Sequence, residues 1–526
     1  MRIGIDVGGT HTDAVILQGD KVLASTKALT SADVISGITN ALDVILDDSG
    51  IAQSEIETVM IGTTQFTNAI IERRELAQIA AVRIGLPSGN GLPPMLDWPQ
   101  DLKDALDSET HMLHGGYLYD GWSLADIDDA EVERMIQSML KSGVKNIAIA
   151  SAFSPINAEP EKQVASKILE AIPNAKITLS HSFGRLGLME RENAAILNTT
   201  LLPFADKVVS SFLGALKKRQ LHCPVYVSQN DGTLMSADFV RSYPALTFAS
   251  GPTNSLRGAY KLTGLKDAVV VDIGGTTSDI GVLQNGFPRE SNVIIKIGGV
   301  RTNFRMPDIL AIGLGGGSIV SADGSSIGPQ SVGHRLVTEG LVFGGETLTT
   351  TDILVASGNA DIGDKSKITH IAPETISNAQ ATLHTMLDSN IDMMRPGGKP
   401  MPVILVGGGA VLVTDGLQAA SNIHRPKHAG VANAIGAAIA QIGGEAEQMV
   451  SYRTLPRKEA IKQVTQIAVQ RAIDAGADAK TLRTVDIEET PVPYMDESST
   501  CIRVKVIGEL TASISATANN NSEALV

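Results

Sequence analysis

Two stretches of this sequence carry the same set of residues that could hold a phosphate. One reads IGIDVGGTHTDAVILQG over residues 3–19, and the other reads VVVDIGGTTSDIGVLQNG over residues 269–286. In each, an apolar run leads into an aspartate, a glycine pair, hydroxyl side chains and a second aspartate. Glycines let the main chain approach a ligand closely, and consecutive N–H groups in such a turn form an anion-binding nest. Each stretch therefore predicts two strands joined by a turn that grips a phosphate.

The order of residue types repeats position by position. Two unrelated hairpins with convenient turns would share a glycine pair, but not the same succession of acid, glycine, hydroxyl and acid. The first set is Asp6, Gly8, Gly9, Thr10, Asp13 and Leu17, and it aligns with Asp272, Gly274, Gly275, Thr276, Asp279 and Leu283. We predict one phosphate-binding hairpin in each half of the chain.

The aspartate that ends the first strand of each hairpin is the candidate metal ligand. An acid at this place can hold a divalent cation through water beside a phosphate. Asp6 and Asp272 are therefore the residues to which we assign the metal and the chemistry.

Two further glycine triplets follow apolar strands. AIGLGGGSIV (311–320) contains Gly315, Gly316 and Gly317, and VILVGGGAVL (403–412) contains Gly407, Gly408 and Gly409. The first is similar to a dinucleotide fingerprint, but the helix and the later acid of that motif are lacking. We expect it to line a nucleotide cleft. The second suits an adenine or ribose lying flat on main chain, although a structural tight turn explains it too.

Composition excludes several classes of function. The 526 residues carry a net charge of −14, and no basic stripe for nucleic acid appears. Two cysteines give neither a disulfide framework nor a CxxC metal site. The first strand begins at Arg2, leaving no room for a signal region, so we expect a cytoplasmic protein. The Ala/Gly-rich run 429–444, interrupted by Asn433 and Gln441, predicts a tightly packed helix over 429–442 and not a membrane span.

Between the hairpins, helical and extended patterns alternate. Helices are predicted over 126–142 and 158–171, and strands over 144–151 and 176–181, which is typical of an α/β sheet covered by helices. We divide the chain into residues 1–185, residues 186–445 and a small appended module of residues 446–526. That module has a predicted helix over 457–474, a strand over 500–507 and a fraying tail.

Two polar groups have no settled role at this stage. His111 and His114 have metal-ligand spacing, but no third ligand is nearby, and the glycines that follow favour a strand and turn. Glu190, Arg191, Glu192 and Asn193 lie on the first turns of a long helix. They could face a cleft, and an exposed charged turn explains them equally well.

Seven stretches, spread over most of the chain, occur in the order of one family. They are GIDVGGTHTDAV (4–15), IGTTQFTNAIIER (61–73), SQNDGTL (228–234), ASGPTNSLRGA (249–259), VDIGGTTSDIGVL (271–283), IGLGGGSI (312–319) and TTTDILVASG (349–358). The chain resembles the hydantoinase/oxoprolinase family, in a short form of its A-type, ATP-binding subunit, within the actin, sugar-kinase and Hsp70 superfamily. The resemblance implies two actin-like (ribonuclease H-like) domains around a nucleotide cleft, with a small C-terminal α+β extension.

The resemblance also implies what the protein does. Families of this kind use ATP and Mg²⁺ to cleave cyclic amides such as hydantoins and 5-oxoproline, and relatives carboxylate ketones. A separate B-type subunit and a homodimer are both possible. Residues 327–340 lack the Pro-Gly-Pro-Ala-Cys-like run of longer relatives, so the substrate stays open. Two alternatives are a small-molecule kinase of the same superfamily and an ATP-driven activator or assembly subunit.

The implied mechanism assigns a role to each hairpin residue. Asp6 and Asp272 would hold Mg²⁺ through water on the β- and γ-phosphates, and Asp272 could instead act as a base. Phosphate contacts would come from main-chain N–H groups around Gly8–Thr10 and Gly274–Thr277, beside Asp13. They would also come from the hydroxyls of Thr10, Thr12, Thr276 and Thr277. The amide oxygen of the substrate would accept the γ-phosphoryl group, since positioning and charge neutralisation do most of the work in phosphoryl transfer.

The first prediction concerns Asp272. Asp272→Asn should keep the fold and ATP binding and lose turnover, because the amide cannot supply the negative charge that the role requires. Phosphate release from Mg-ATP measures turnover, and nucleotide titration measures binding. Unchanged turnover in the variant would remove Asp272 from the chemistry.

Overall fold

The structure is a computed structural model. It describes residues 1–8, 11–29, 34–119, 121–183, 187–291, 294–439, 441–492 and 499–510. Two predicted site residues, Gly9 and Thr10, lie outside these ranges.

The described residues form an α/β fold. The strands are β1 (Arg2–Val7), β2 (His11–Gln18), β3 (Lys21–Leu29), β4 (Thr58–Thr63), β5 (Ile79–Leu86), β6 (Glu109–His114), β7 (Asn146–Ser151), β8 (Lys176–Leu179), β9 (Val225–Ser228), β10 (Leu234–Ser236), β11 (Ala268–Ile273), β12 (Ser278–Gln284), β13 (Phe287–Pro288), β14 (Ile295–Ile297), β15 (Val300–Thr302), β16 (Ile309–Ile312), β17 (Ser318–Val320), β18 (Ile327–Ser331), β19 (Met401–Val406), β20 (Ala420–His424), β21 (Ile442–Ser451), β22 (Arg483–Pro491) and β23 (Ser499–Gly508). The helices are α1 (Val34–Ser49), α2 (Gln65–Glu72), α3 (Gln100–Leu106), α4 (Asp129–Ser142), α5 (Glu159–Ala171), α6 (Leu188–Lys218), α7 (Ala237–Ser242), α8 (Ser250–Thr263), α9 (Leu336–Glu339), α10 (Thr350–Ala356), α11 (Pro373–Met394), α12 (Ala432–Ile439) and α13 (Arg457–Asp474).

Both predicted hairpins form, and they belong to two different sheets. β1 and β2 pair antiparallel within a sheet ordered β22-β23-β21-β10-β9-β4-β1-β2-β3. β11 and β12 pair in the same way within a sheet ordered β13-β12-β11-β19-β20, in which β16 also pairs with β12. The first strand of each hairpin also has a parallel neighbour, β4 for β1 and β19 for β11. The two halves thus share a local topology, as their sequence repeat predicts.

The helices and strands predicted between the hairpins are also present. α4, β7, α5 and β8 match their predicted positions to within a few residues, and β5 to β8 form a parallel sheet ordered β6-β5-β7-β8. His111 and His114 both lie on β6, where residues three apart point to opposite faces of the strand. His114 instead contacts Glu131 of α4, with 2.9 Å between Nδ1 and Oε1.

The C-terminal region continues the first sheet. β21 and β23 pair over ten positions, and β21 joins β10 through Ile442 and Leu234. The helix predicted over 429–442 is shorter, Ala432–Ile439, because β21 begins at Ile442. Gly443 and Gly444 let β21 lie close to Thr233 and α13. The division at residues 185 and 445 stays a prediction, and strands from both sides of each boundary pair in this sheet.

None of the helices in the described ranges combines the length and apolar character that crossing a membrane requires. The core of the first sheet includes Ile3, Ile5, Val59, Ile61 and Val227, which are buried on its central parallel strands. Such strands are covered on both faces, so their sequences read as continuous apolar runs.

Helices α8 and α12 cross where their glycines permit close approach. A Cβ on Gly258 of α8 would lie 1.8 Å from the carbonyl oxygen of Ala432, and one on Gly436 of α12 would lie 1.8 Å from that of Asn254. A Cβ on Gly4 would lie 2.2 Å from the oxygen of Ala434, so β1 packs equally closely on α12. The predicted tight Ala/Gly packing is present.

This crossing generates the second prediction. Gly258→Ala should lower the free energy of unfolding by about 1–3 kcal/mol or more, because the methyl group would overlap main chain that cannot move alone. Gly214 supplies a matched control, since it is also inside a helix and a Cβ there meets nothing within 4 Å. Gly214→Ala should raise stability by about 0.5–1 kcal/mol. Chemical denaturation compares the two, and equal effects would contradict the packing argument.

Candidate active site

Each hairpin holds a pair of carboxylates at the same place. Asp6 and Asp13 are directly opposite across β1 and β2, and Asp272 and Asp279 are opposite across β11 and β12. In a strand pair such residues lie close together, with like charges destabilising each other. The predicted acids therefore form two pairs, and each hairpin carries one pair near its tip.

Helix α8 connects the two hairpins through consecutive residues. The Asn254 side chain donates from Nδ2 to Oδ1 of Asp6 over 3.3 Å, and the Ser255 hydroxyl donates to Oδ2 of Asp272. From α12, Asn433 donates from Nδ2 to the other oxygen of Asp6 over 2.9 Å. Two adjacent residues of one helix turn thus hold the two carboxylates, one from each hairpin.

Burial and mutual repulsion shift these carboxylates toward the protonated form. Burial, then the charges of Asp13 and Asp272, raise the pKa of Asp6 to about 6 against the hydrogen bonds from Asn254 and Asn433. Burial also raises the pKa of Asp272, and burial with the Asp272 charge raises the pKa of Asp279 to about 7. A cluster of this kind favours a bound cation, which would return the carboxylates to their charged form.

One lysine lies within this acidic cluster. Lys27 Nζ of β3 is 2.7 Å from Oδ1 of Asp13, opposite it across β2 and β3. Its charge also lowers the pKa of Asp272, in opposition to burial. Lys27 therefore neutralises only part of the negative charge at this site.

The tip of the second hairpin presents main-chain donors to solvent. A 2.9 Å hydrogen bond from Gly274 N–H to the carbonyl of Thr277 closes the turn. Gly275, Thr276 and Thr277 are exposed, and their N–H groups have no acceptor among the described residues. Three such groups in a row have the arrangement of an anion nest.

The first hairpin is described only in part. Gly8 is half-buried at the end of β1, and Thr12 is fully buried beside Val7. The Thr12 side chain is therefore not exposed at the surface.

Gly315, Gly316 and Gly317 lie directly behind the second turn. The N–H groups of Gly316 and Gly317 donate to the carbonyls of Gly274 and Gly275, and that of Gly315 donates to the Ser318 hydroxyl. A Cβ on Gly315 would lie 2.6 Å from the nitrogen of Thr276. These glycines therefore support the turn through hydrogen bonds within the protein.

The other triplet, Gly407–Gly409, follows β19 next to Asp272. Gly407 has a φ of +83°, and a Cβ there would lie 2.2 Å from Oδ1 of Asp272. Gly409 donates its N–H to Ile273 O over 2.7 Å. Gly408 is exposed, with nothing within 4 Å of its Cβ position, so it is the member open to a ligand.

The donor chemistry of the acid cluster fits a hard divalent cation. No three His, Cys, Asp or Glu side chains in the described ranges converge on one point as direct ligands. Mg²⁺ does not need such a cage, because it keeps several waters and binds through one or two carboxylates together with phosphates. Asp6 and Asp272 are the residues that would hold it.

Several of these residues were not singled out from the sequence. Asn254 and Ser255 lie inside the quoted stretch 249–259, and Asn433 is a polar interruption of the Ala/Gly run. No local sequence signal indicates Lys27, which becomes relevant only through its pairing with Asp13 across β2 and β3. In contrast, Arg191, Glu192 and Asn193 are buried, which excludes the exposed charged turn for these three. Arg83, itself buried, pairs with Glu192.

The third prediction uses Asp279. Because its pKa is raised from 3.8 to about 7 on folding, the folded state holds an extra proton between these values, and its stability falls as pH rises through about 7. Asp279→Asn should therefore stabilise the nucleotide-free protein in EDTA more at pH 8 than at pH 5. Urea denaturation at the two pH values measures this, and a pH-independent effect would contradict the raised pKa of Asp279.

Known proteins and family models match this chain over most of its length. Sequence models described as the hydantoinase/oxoprolinase N-terminal region and as hydantoinase/oxoprolinase match residues 2–172 and 191–362. The caprolactamase subunit alpha of Pseudomonas jessenii is 26% identical over 388 residues, 68% of this chain and 54% of that protein. The acetophenone carboxylase gamma subunit of Aromatoleum aromaticum is 26% identical over 401 residues, 68% of this chain and 53% of that protein. The chain thus spans about half the length of these curated relatives.

Solved structures share the fold. The ATP-dependent caprolactamase from Pseudomonas jessenii superposes with a TM-score of 0.78 at 18% identity, covering 99% of this chain and 90% of that one. Nucleotide-free acetone carboxylase superposes with a TM-score of 0.66 at 17% identity, covering 97% and 88%. The expected α/β fold class is confirmed. With two consecutive regions matched, the chain belongs to the hydantoinase/oxoprolinase family.

Proposed function

We propose that this protein is an ATP- and Mg²⁺-dependent enzyme that opens cyclic amides by phosphorylating the amide oxygen. The observation that carries the proposal is the pair of acids, the buried Asp6 and the half-buried Asp272, which α8 holds next to an exposed turn of N–H donors that have no acceptor among the described residues. This arrangement offers a cation site and an anion site together, as phosphoryl transfer requires. The family membership and the caprolactamase relative support amides as the substrate class.

The roles of the residues follow from their positions. Asp6 and Asp272 would hold Mg²⁺ through water, and the N–H groups and hydroxyls of Thr276 and Thr277 would bind phosphate oxygens. Gly408 would lie against the nucleoside, because it alone of its triplet is open. Bound Mg-ATP supplies the phosphoryl group, and the protein aligns the amide oxygen with it and excludes competing water.

A partner subunit is part of the proposal. The matched relatives are named as an alpha subunit and a gamma subunit, so we propose that a B-type subunit completes the reaction of this chain as well.

The fourth prediction is a phosphate-release assay. The purified protein with Mg-ATP should release phosphate in step with ring opening for at least one of hydantoin, 5-oxoproline and larger lactams. Asp6→Asn should reduce this release at least a hundredfold, because the amide cannot hold the cation as a carboxylate does. EDTA should have the same effect on the wild-type protein.

The control for that assay is Asp48→Asn, which removes an exposed aspartate of α1 and should leave the rate unchanged. Accumulation of a stable phosphorylated product would indicate a kinase instead. Release that is indifferent to every ring compound would indicate either that the B-type subunit is missing from the assay or that the chain is an activator or assembly subunit.

A further inference from the structure

A second candidate site, which shares no lining residue with the phosphate hairpins, is a cavity in the protein. It is a cavity of about 460 Å³ lined by His181, Phe183, Tyr243, Asn303 and Phe304, together with the loop that follows β9. Small-molecule sites are commonly cavities of this size, with apolar walls and a few convergent polar groups. None of these residues was assigned to the nucleotide.

His181 is held as a general acid–base would be. Its Nδ1 lies 2.7 Å from Oε2 of Glu161, and its main-chain N–H donates to the same oxygen over 3.1 Å. Glu161 is fully buried on α5, and it also accepts the hydroxyl of Ser180 and the N–H of Ser151. Burial raises the pKa of Glu161, but the hydrogen bond and charge of His181, the Ser180 hydroxyl and the Arg191 charge outweigh it and lower this pKa, so Glu161 is ionised. An ionised Glu161 fixes the proton on Nδ1 and leaves Nε2 as the basic nitrogen available to the cavity.

Asn303 contributes a donor and an acceptor. Both of its polar side-chain atoms, Oδ1 and Nδ2, are buried without a hydrogen-bond partner among the described residues. Leaving two such atoms unpaired is costly, so a ligand that satisfies both gains affinity. The cis amide of a small ring carries its C=O and N–H on one side, which matches the paired acceptor and donor of a primary amide.

Part of the remaining wall is aromatic, and charged side chains, among them Arg305, Glu445 and Arg471, line another part. The rings of Phe183 and Phe304 meet edge to face with centroids 5.6 Å apart, and Phe183 contacts Tyr243 at 6.0 Å in the same manner. Phe304 in turn packs on Phe248 at 5.4 Å, two residues before α8 begins. The aromatic part of the wall suits the apolar face of a ring.

Sheet register relates the position of the cavity to that of Asp6. β9, β4 and β1 are parallel neighbours, with Ile5 level with Ile61 and Ile61 level with Val227. Ser228 is therefore level with Asp6, two strand spacings or about 10 Å away. The cavity is lined by Gln229, Asn230 and Asp231. These residues follow Ser228 at the C-terminal end of β9, and Asp6 lies near the corresponding end of β1.

We propose that this cavity is the pocket for the ring amide, that Asn303 binds its amide group, and that His181, oriented by Glu161, is the catalytic acid–base of ring opening. The proposal rests on the proposed function and adds the acceptor site to it. The amide oxygen forms a bond to the γ-phosphorus as ADP leaves. Water then adds to the ring carbon while Nε2 of His181 takes one of its protons.

The ring opens when the carbon–nitrogen bond breaks. The ring nitrogen receives the proton back from His181 and leaves as an amine, taking up the hydroxyl proton as ammonium. The other product is an acyl phosphate, which a second water converts to a carboxylate and inorganic phosphate. Atoms and charge therefore balance with ATP and two waters as the only co-reactants.

Binding is the first test of the cavity. Calorimetric titration with 2-pyrrolidinone, 2-piperidone and hydantoin, with and without a non-hydrolysable ATP analogue, should show binding of at least one ring. Asn303→Ala should weaken it about ten- to hundredfold through the loss of two hydrogen bonds. Asn40→Ala, at an exposed asparagine of α1, is the matched control and should bind as the wild type does. Absence of binding, or equal binding by Asn303→Ala, would overturn the assignment of the cavity.

Isotope exchange separates the role of His181 from phosphoryl transfer. With ATP labelled by ¹⁸O at the β–γ bridge, a ring amide that accepts the phosphoryl group reversibly causes the label to scramble. His181→Asn keeps a donor toward Glu161, so scrambling should continue while ring opening falls about 10²–10⁴-fold. His222→Asn, at an exposed histidine, should change neither. Unchanged ring opening, or loss of both signals, would overturn the role of His181.

Different results would refute the proposed function and the proposed pocket. Binding that depends on Asn303 without any ATP turnover would leave the pocket assigned and refute the proposed function. Ring-dependent turnover that is unaffected by Asn303→Ala and His181→Asn would leave the function and refute this pocket.

Discussion

The position of the two hairpins depends on one turn of α8. Asn254 and Ser255 are adjacent in sequence, yet one bonds Asp6 of the first sheet and the other bonds Asp272 of the second. Both carboxylates are at least partly buried, so each of these hydrogen bonds offsets a desolvation cost that would otherwise fall on a charged group. The helix can hold this place only because Gly258 and Gly436 allow it to touch α12 through main chain. The distance between the two phosphate turns is therefore set by helix packing and not by the hairpins themselves.

The clustered carboxylates of this site repel each other and so lower the stability of the fold. Two cross-strand pairs of carboxylates meet, with Lys27 as a partner for one of them, and the pKa values of Asp6, Asp272 and Asp279 all rise. A fold selected only for stability would place amides at several of these positions. Repulsion that a divalent cation would relieve gives a physical reason for acids at both hairpins, and links cation binding to the closeness of the two halves.

Much of the fold was predictable because its signals are local. Apolar runs, glycine turns and helical spacing predicted both hairpins, the α4–β8 region and α13, which spans the predicted residues 457–474. The repeat of acid, glycine and hydroxyl likewise located the acids of the site. Pairings between distant segments have no such signal. The union of β21–β23 with the first sheet, and the bonds of Asn254, Ser255 and Asn433 to the hairpin acids, depend on contacts that no single window of sequence contains.

The C-terminal strands also account for the location of the cavity. Lys505 of β23 pairs with Asp231 over 2.7 Å, and Arg503 and Arg305 both pair with Glu445 of β21. Burial raises the pKa of Asp231, but the Lys505 charge and hydrogen bonds outweigh it and lower this pKa to about 2, so the loop after β9 is held by an ionised partner. That loop, Gly443 and Arg305 all line the cavity, whose opposite wall is formed by His181 and Phe183. Strands far along the chain therefore contribute to the wall of the cavity, so the extension of the first sheet shapes this pocket as well as stabilising the fold.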